Sequence, residues 1–111
     1  MNSDKSKQTK KRSKKILFVS PDMGGISAYR QYHAPPLGVV RLAGYLSAKG
    51  HHGEYYDPNL YACSKKGLSL EETLKKGNWD IVGFSILDET LLQDIQNIYL
   101  AKKACPNALL I

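Results

Sequence analysis

A chain of 111 residues with 42% hydrophobic and 23% charged residues has room for one modest core and the balance of an ordinary globular domain, which excludes a disordered, collagen-like or fibrous protein. Its net charge of +6 resides in residues 1–15, where seven Lys or Arg stand against Asp4, while residues 16–111 hold nine charges of each sign. The body therefore offers no basic face to track phosphates, and nothing outside the leader speaks for nucleic-acid binding.

After Met1, residues 2–15 contain no apolar side chain, which predicts a disordered basic leader that solubilises the chain. The apolar run behind it is too short for a secretory signal, and no stretch reaches membrane-spanning length. A cytoplasmic protein with no membrane partner is the expectation. The run itself, Ile16–Ser20, reads as a strand buried on both faces. Pro35-Pro36 marks the start of a helix over Leu37–Lys49, whose apolar positions 37, 39, 40, 42, 43 and 46 form a broad stripe ended by Gly50. A weaker strand follows at Gly53–Tyr56, then a loop through Pro58, Asn59 and Gly67. Ser69 and Glu72 have capping-box spacing for a short helix closed by Gly77, with Leu70 and Leu74 on one face. Ile81–Ile86 is a second buried strand. A helix from Glu89 to Ala104 is predicted to turn Leu91, Leu92, Ile95, Ile98 and Tyr99 inward, and Ala108–Ile111 begin another core strand.

Strands alternating with helices predict an α/β fold, an open parallel sheet of the flavodoxin-like, Rossmann-like kind, because right-handed crossovers admit little else. The chain stops on a core strand without a closing helix, which reads as a domain over 16–111 truncated after its fourth strand. In such a sheet, ligands bind beyond the carboxyl ends of the strands, where the first and third diverge. Two loops then carry the site. Pro21–Pro36 spans sixteen residues where such connections take about 2–6, and its Met23-Gly24-Gly25 admits close approach by a flat or phosphorylated ligand. The second loop, Ser85–Thr90, brings hydroxyls and a helix start suited to an anion, with Asp88 as a helix cap in the plainer reading. Neither GxGxxG nor a Walker lysine pattern occurs. His33 is a surface-loop histidine in the plain reading, and His51 and His52 fall at the amino edge of the sheet, away from the crevice. Cys63 and Cys105, 42 positions apart, read as reduced thiols, with no spacing for zinc.

Lys15–Pro21, Ala34-Pro35-Pro36-Leu37-Gly38-Val39-Val40-Arg41-Leu42-Ala43-Gly44-Tyr45-Leu46, Lys49-Gly50-His51 and Trp79-Asp80-Ile81-Val82-Gly83-Phe84-Ser85 together resemble the cobalamin-binding domain at the front of cobalamin-dependent radical S-adenosylmethionine enzymes. The resemblance covers residues 15–111. It implies a cobalamin (vitamin B12) lying over the carboxyl edge of the sheet with its nucleotide tail in the crevice. It also implies contacts at Asp22, Met23, Gly24, Gly25, Gly38, Ser85, Leu87 and Thr90. A longer parent would add in cis the radical domain with its 4Fe-4S cluster and S-adenosylmethionine, and act as a methyltransferase or related radical enzyme. Two patterns are absent from this chain: DxHxxG, by which methionine-synthase-type domains supply a histidine to cobalt and which this branch of the family generally lacks, and the iron–sulfur motif CxxxCxxC. Without DxHxxG no histidine is expected on cobalt, and without CxxxCxxC the chain by itself is not expected to run radical chemistry. Strand-then-Gly-Gly also resembles the opening of GT-B glycosyltransferases, although their helix follows the glycines directly. A flavodoxin-like interaction module without ligand is the non-enzymatic alternative.

Overall fold

The computed structural model describes residues 13–24 and 37–111; Gly25, His33 and Pro35-Pro36 lie outside the described residues. The elements run β1 (Lys15–Val19), α1 (Leu37–Ala48), β2 (His52–Tyr56), α2 (Pro58–Ser64), α3 (Leu70–Lys76), β3 (Ile81–Phe84), a single 3-10 turn (Asp88–Thr90), α4 (Leu91–Ala104) and β4 (Leu109–Leu110). The four strands form one open, all-parallel sheet in the order β2-β1-β3-β4. The molecule is thus an α/β fold with β1 and β3 side by side at its centre.

Strand alternation divides the core. Leu17, Val19 and Val82 meet Leu70, Leu74, Trp79 and Ala101 in one buried cluster, so α3 and α4 cover that face. Each such aliphatic side chain withdrawn from water contributes about 1.5–3 kcal/mol. Ile16 and Phe18 alternate onto the other face, where α1 packs on β1 and β2 through Val39 and Ala43. The closeness of α1 requires Gly53 in β2, because a Cβ there would stand 2.6 Å from the Ala43 carbonyl oxygen.

Three expectations are corrected. Asp57–Ser64 is not loop: the Asp57 carboxylate accepts from the Asn59 amide, Pro58 starts α2, and Lys65 ends it in the left-handed region at φ 57°. The basic leader does not extend to residue 15, since Lys15 is the first residue of β1 and its Nζ lies 4.9 Å from the Trp79 ring. The face of α4 is also different. Asp94 and Ala101 are buried, whereas Leu91, Leu92, Ile95 and Tyr99 are exposed, Leu92 at 78%, and Ile98 is only half-buried. The helix turns its small and polar side inward because Asp94 bonds the loop after β1 and Ala101 fits against the strands. Its apolar side and β4 line an open groove of about 560 Å³. Among the described residues no helix is long and apolar enough to cross a membrane.

Candidate functional site

Parallel strands deliver the ends of β1, β2 and β3 to one rim, and a short polar loop begins there. Ser20 leaves β1 with its amide donating to the Tyr56 carbonyl at 3.0 Å and its hydroxyl to Asp57 at 3.2 Å. The next residues are held by side chains distant in sequence. The Asp22 amide donates to Asp94 Oδ1 (2.9 Å), the Met23 amide to Asn59 Oδ1 (2.8 Å), and Asn59 Nδ2 donates back to the Pro21 carbonyl (2.8 Å). Asp22 folds over its own loop, accepting from the Gly24 amide at 2.9 Å and from Asn97 Nδ2 at 3.0 Å. Gly24 has φ +77°, a conformation that side chains resist, while its missing Cβ would meet only Gln93 at ordinary contact distance. Conformation rather than space requires glycine at this position.

Thr90 completes the brace from below. It is 2% exposed; its hydroxyl donates to Asp94 Oδ2 and accepts from the Leu87 amide at 3.1 Å, leaving no proton for a ligand. Asp94 is equally buried, and both its oxygens are used. The 3-10 turn before α4 carries Asp88 and Glu89, and the first turn of α4 carries Asp94; Thr90, not Asp88, bonds the Leu87 amide at the start of that turn, so Asp88 does not take the capping role. Acidic side chains already occupy the positive end of this helix, which removes much of its attraction for an outside anion.

On the opposite face, Gly38 and Ser85 line a mostly apolar concavity of about 380 Å³ with Phe18, Val39, Leu42 and Ile111. Its shape follows from the sequence. Gly83 lacks a side chain where Phe18 crosses it, and α1 packs mainly on β2 and β1. Among the described residues a Cβ on Gly38 would meet nothing within 4 Å. Leu87 lies exposed on the β3 loop at the rim. The expected contact residues thus divide. Asp22, Met23, Gly24 and Thr90 form the braced loop on the α4 side, Gly38 and Ser85 the concavity on the α1 side, and Gly25 lies outside the described residues.

Asp57, Asn59, Asp94 and Asn97 shape this rim and were missed in the sequence reading. Asp57-Pro58-Asn59 has the pattern of a helix cap, and Asp94 is the one acid within α4, four residues after Thr90. Those signals were present, but the apolar residues around them suggested another face. The acidic rim also reaches Tyr56, whose phenol is pushed up to about 12 by burial first, then by Tyr61, Asp22 and Asp57. Burial likewise raises the Cys105 thiol, which donates to the Ala101 carbonyl at the far end of α4. His51 and His52 stay at the amino edge, His51 accepting from the Lys14 amide and His52 pairing with Glu54. Among the described residues no three His, Cys, Asp or Glu side chains gather into a metal-binding group. Comparison with family models, with curated proteins and with solved structures finds no match to this chain.

Proposed function

We propose that the chain holds cobalamin over the carboxyl rim of a flavodoxin-like sheet, as the cofactor domain of a radical S-adenosylmethionine enzyme. One observation carries the reading: an apolar concavity opens beside the end of β3, next to β1, where the sequence resemblance puts the nucleotide tail of the cofactor. Its volume of about 380 Å³ falls within the roughly 300–1,000 Å³ of small-ligand sites. The residues present fit the group. Val39, Leu42 and Phe18 would offer apolar surface to an aromatic base, Ser85 a hydroxyl, and the braced loop would set Met23 and Gly24 toward the corrin edge. The sequence carries no DxHxxG pattern, so in this reading the protein would hold the cofactor by its periphery rather than by cobalt. When bound, cobalamin supplies a carrier for a methyl group; the chain's part is to bind, orient and shield it.

The test is absorbance and equilibrium dialysis with hydroxocobalamin, on the chain and on Gly38→Phe. Because no described residue comes within 4 Å of the Gly38 Cβ position, the phenyl ring should fill the concavity without opening the core. We expect wild-type binding, a loss of at least tenfold in Gly38→Phe, and an unchanged melting temperature. A wild-type chain that takes up no cobalamin, with Gly38→Phe raising the melting temperature, would mean that the concavity is an uncovered piece of core.

A further inference from the structure

From Ser20 to Gly24 the β1 loop has no free backbone donor. Pro21 has no N–H, the Ser20 amide serves the Tyr56 carbonyl, and the amides of Asp22, Met23 and Gly24 all donate to side-chain oxygens. Loops that seize phosphates do so with unpaired amides and a nearby cation. Here two of the three acceptors are carboxylates, and among the described residues no Lys, Arg or His forms an ion pair with Asp22, Asp57 or Asp94. A phosphate arriving at this loop would have to break three internal bonds and sit beside negative charge. The strand-Gly-Gly pattern invites a phosphate in sequence, but the described part of the loop, Ser20–Gly24, offers it no backbone donor.

We propose that Asp94 and Asn59 are positioning residues that shape the β1 loop into a rim for an uncharged, amide-bearing ring and exclude phosphate groups from it. This rests on the cobalamin reading and deepens it. The corrin, with its neutral amide arms, belongs on the β1 side, and the phosphodiester of the tail belongs on the Gly38 and Ser85 side. At Ser20–Gly24 the phosphates of flavin mononucleotide, of nucleotide sugars and of free phosphate are selected against by the same bonds.

Amide NMR of the full chain tests this. Titration with cobinamide, the corrin without its nucleotide, should move the Asp22, Met23 and Gly24 signals, and cobalamin should in addition move Gly38 and Ser85. Inorganic phosphate, flavin mononucleotide and UDP-glucose, at up to about 10 mM, should move none of the three loop amides. Asp94→Ala should speed exchange of the Asp22 amide at least tenfold and weaken cobalamin binding about threefold to tenfold, as expected when, of the two hydrogen bonds Asp94 accepts, the one holding the loop at Asp22 is lost. Asp94→Asn, which can still accept from Asp22 and donate to Thr90, should restore both. If Asp94→Ala does not fold, Asn59→Ala read at the Met23 amide makes the same measurement. Saturable movement of the loop amides by a phosphate compound would overturn the proposal, as would unchanged Asp22 exchange in Asp94→Ala. A wild-type chain that binds neither corrinoid sinks the cobalamin reading and the ring-binding half of the proposal with it, whereas the positioning of the loop and its exclusion of phosphate are decided separately by the exchange rates and the phosphate titration.

Discussion

At the scale of single residues, Tyr56 reports on the rim. Its hydroxyl donates to the Leu68 carbonyl at 3.0 Å, and burial, with help from Tyr61 and the acids Asp22 and Asp57, raises it to about 12. The folded phenol thus holds its proton above the point, near 10, where an unfolded tyrosine releases it. The resulting stability is present below about pH 10 and is lost as pH rises toward 12. Absorbance titration at 295 nm should show one late tyrosine that disappears in Tyr56→Phe; a titration unchanged by that substitution would place the late group elsewhere. Thr90 teaches a different lesson at this scale. Its hydroxyl was legible as a polar group on the rim, but whether it faces a ligand or a neighbour depended on Asp94, one helical turn away and indistinct in a run of mixed residues.

Among elements, those with strong local chemistry were readable. The capping box of α3 forms as its spacing demanded, with Ser69 and Glu72 bonded reciprocally and the Glu72 carboxyl held below its usual range by those bonds to Ser69. β1 and β3 were visible because a strand covered on both faces needs an unbroken apolar run. The inward side of α4 was not, since its apolar stripe and its small, polar stripe are both continuous, and only the position of the β1 loop chose between them. Packing of α1 on β2 has a sharp test. Gly53→Ala puts a methyl against the Ala43 carbonyl, so α1 must lift, and overpacking of this kind costs about 1–3 kcal/mol. Urea denaturation should show that loss, with Gly44→Ala as the control, since a Cβ at Gly44 meets no described residue within 4 Å. Equal stabilities of the two variants would contradict the close approach.

For the whole molecule, the point where the basic leader gives way to the sheet is informative. Lys14 accepts from the His52 amide at 2.9 Å and donates to His51; Lys15 exchanges 2.8 Å hydrogen bonds with Asp80. Removing residues 1–12, which hold no apolar side chain after Met1, should leave the melting temperature unchanged. Removing residues 1–15 should lower it, because each lost bond is worth about 0.5–1.5 kcal/mol and the first residue of a central strand goes with them. Scanning calorimetry of the two truncations separates these outcomes, and equal melting temperatures would show that Lys14 and Lys15 do not stabilise the sheet. By itself the sequence determined the alternation of strands and helices, the parallel sheet and the two loops at its rim, since these follow from hydrophobic periodicity, capping chemistry and chain handedness, which act locally or nearly so. Only the tertiary structure decided that α4 turns Asp94 rather than its leucines inward, that the amides of Asp22, Met23 and Gly24 are already spoken for, and that Gly38 and Ser85 share a concavity on the other face. Those outcomes depend on hydrogen bonds between residues up to 75 positions apart, and on which helix reaches which strand. No local pattern encodes them.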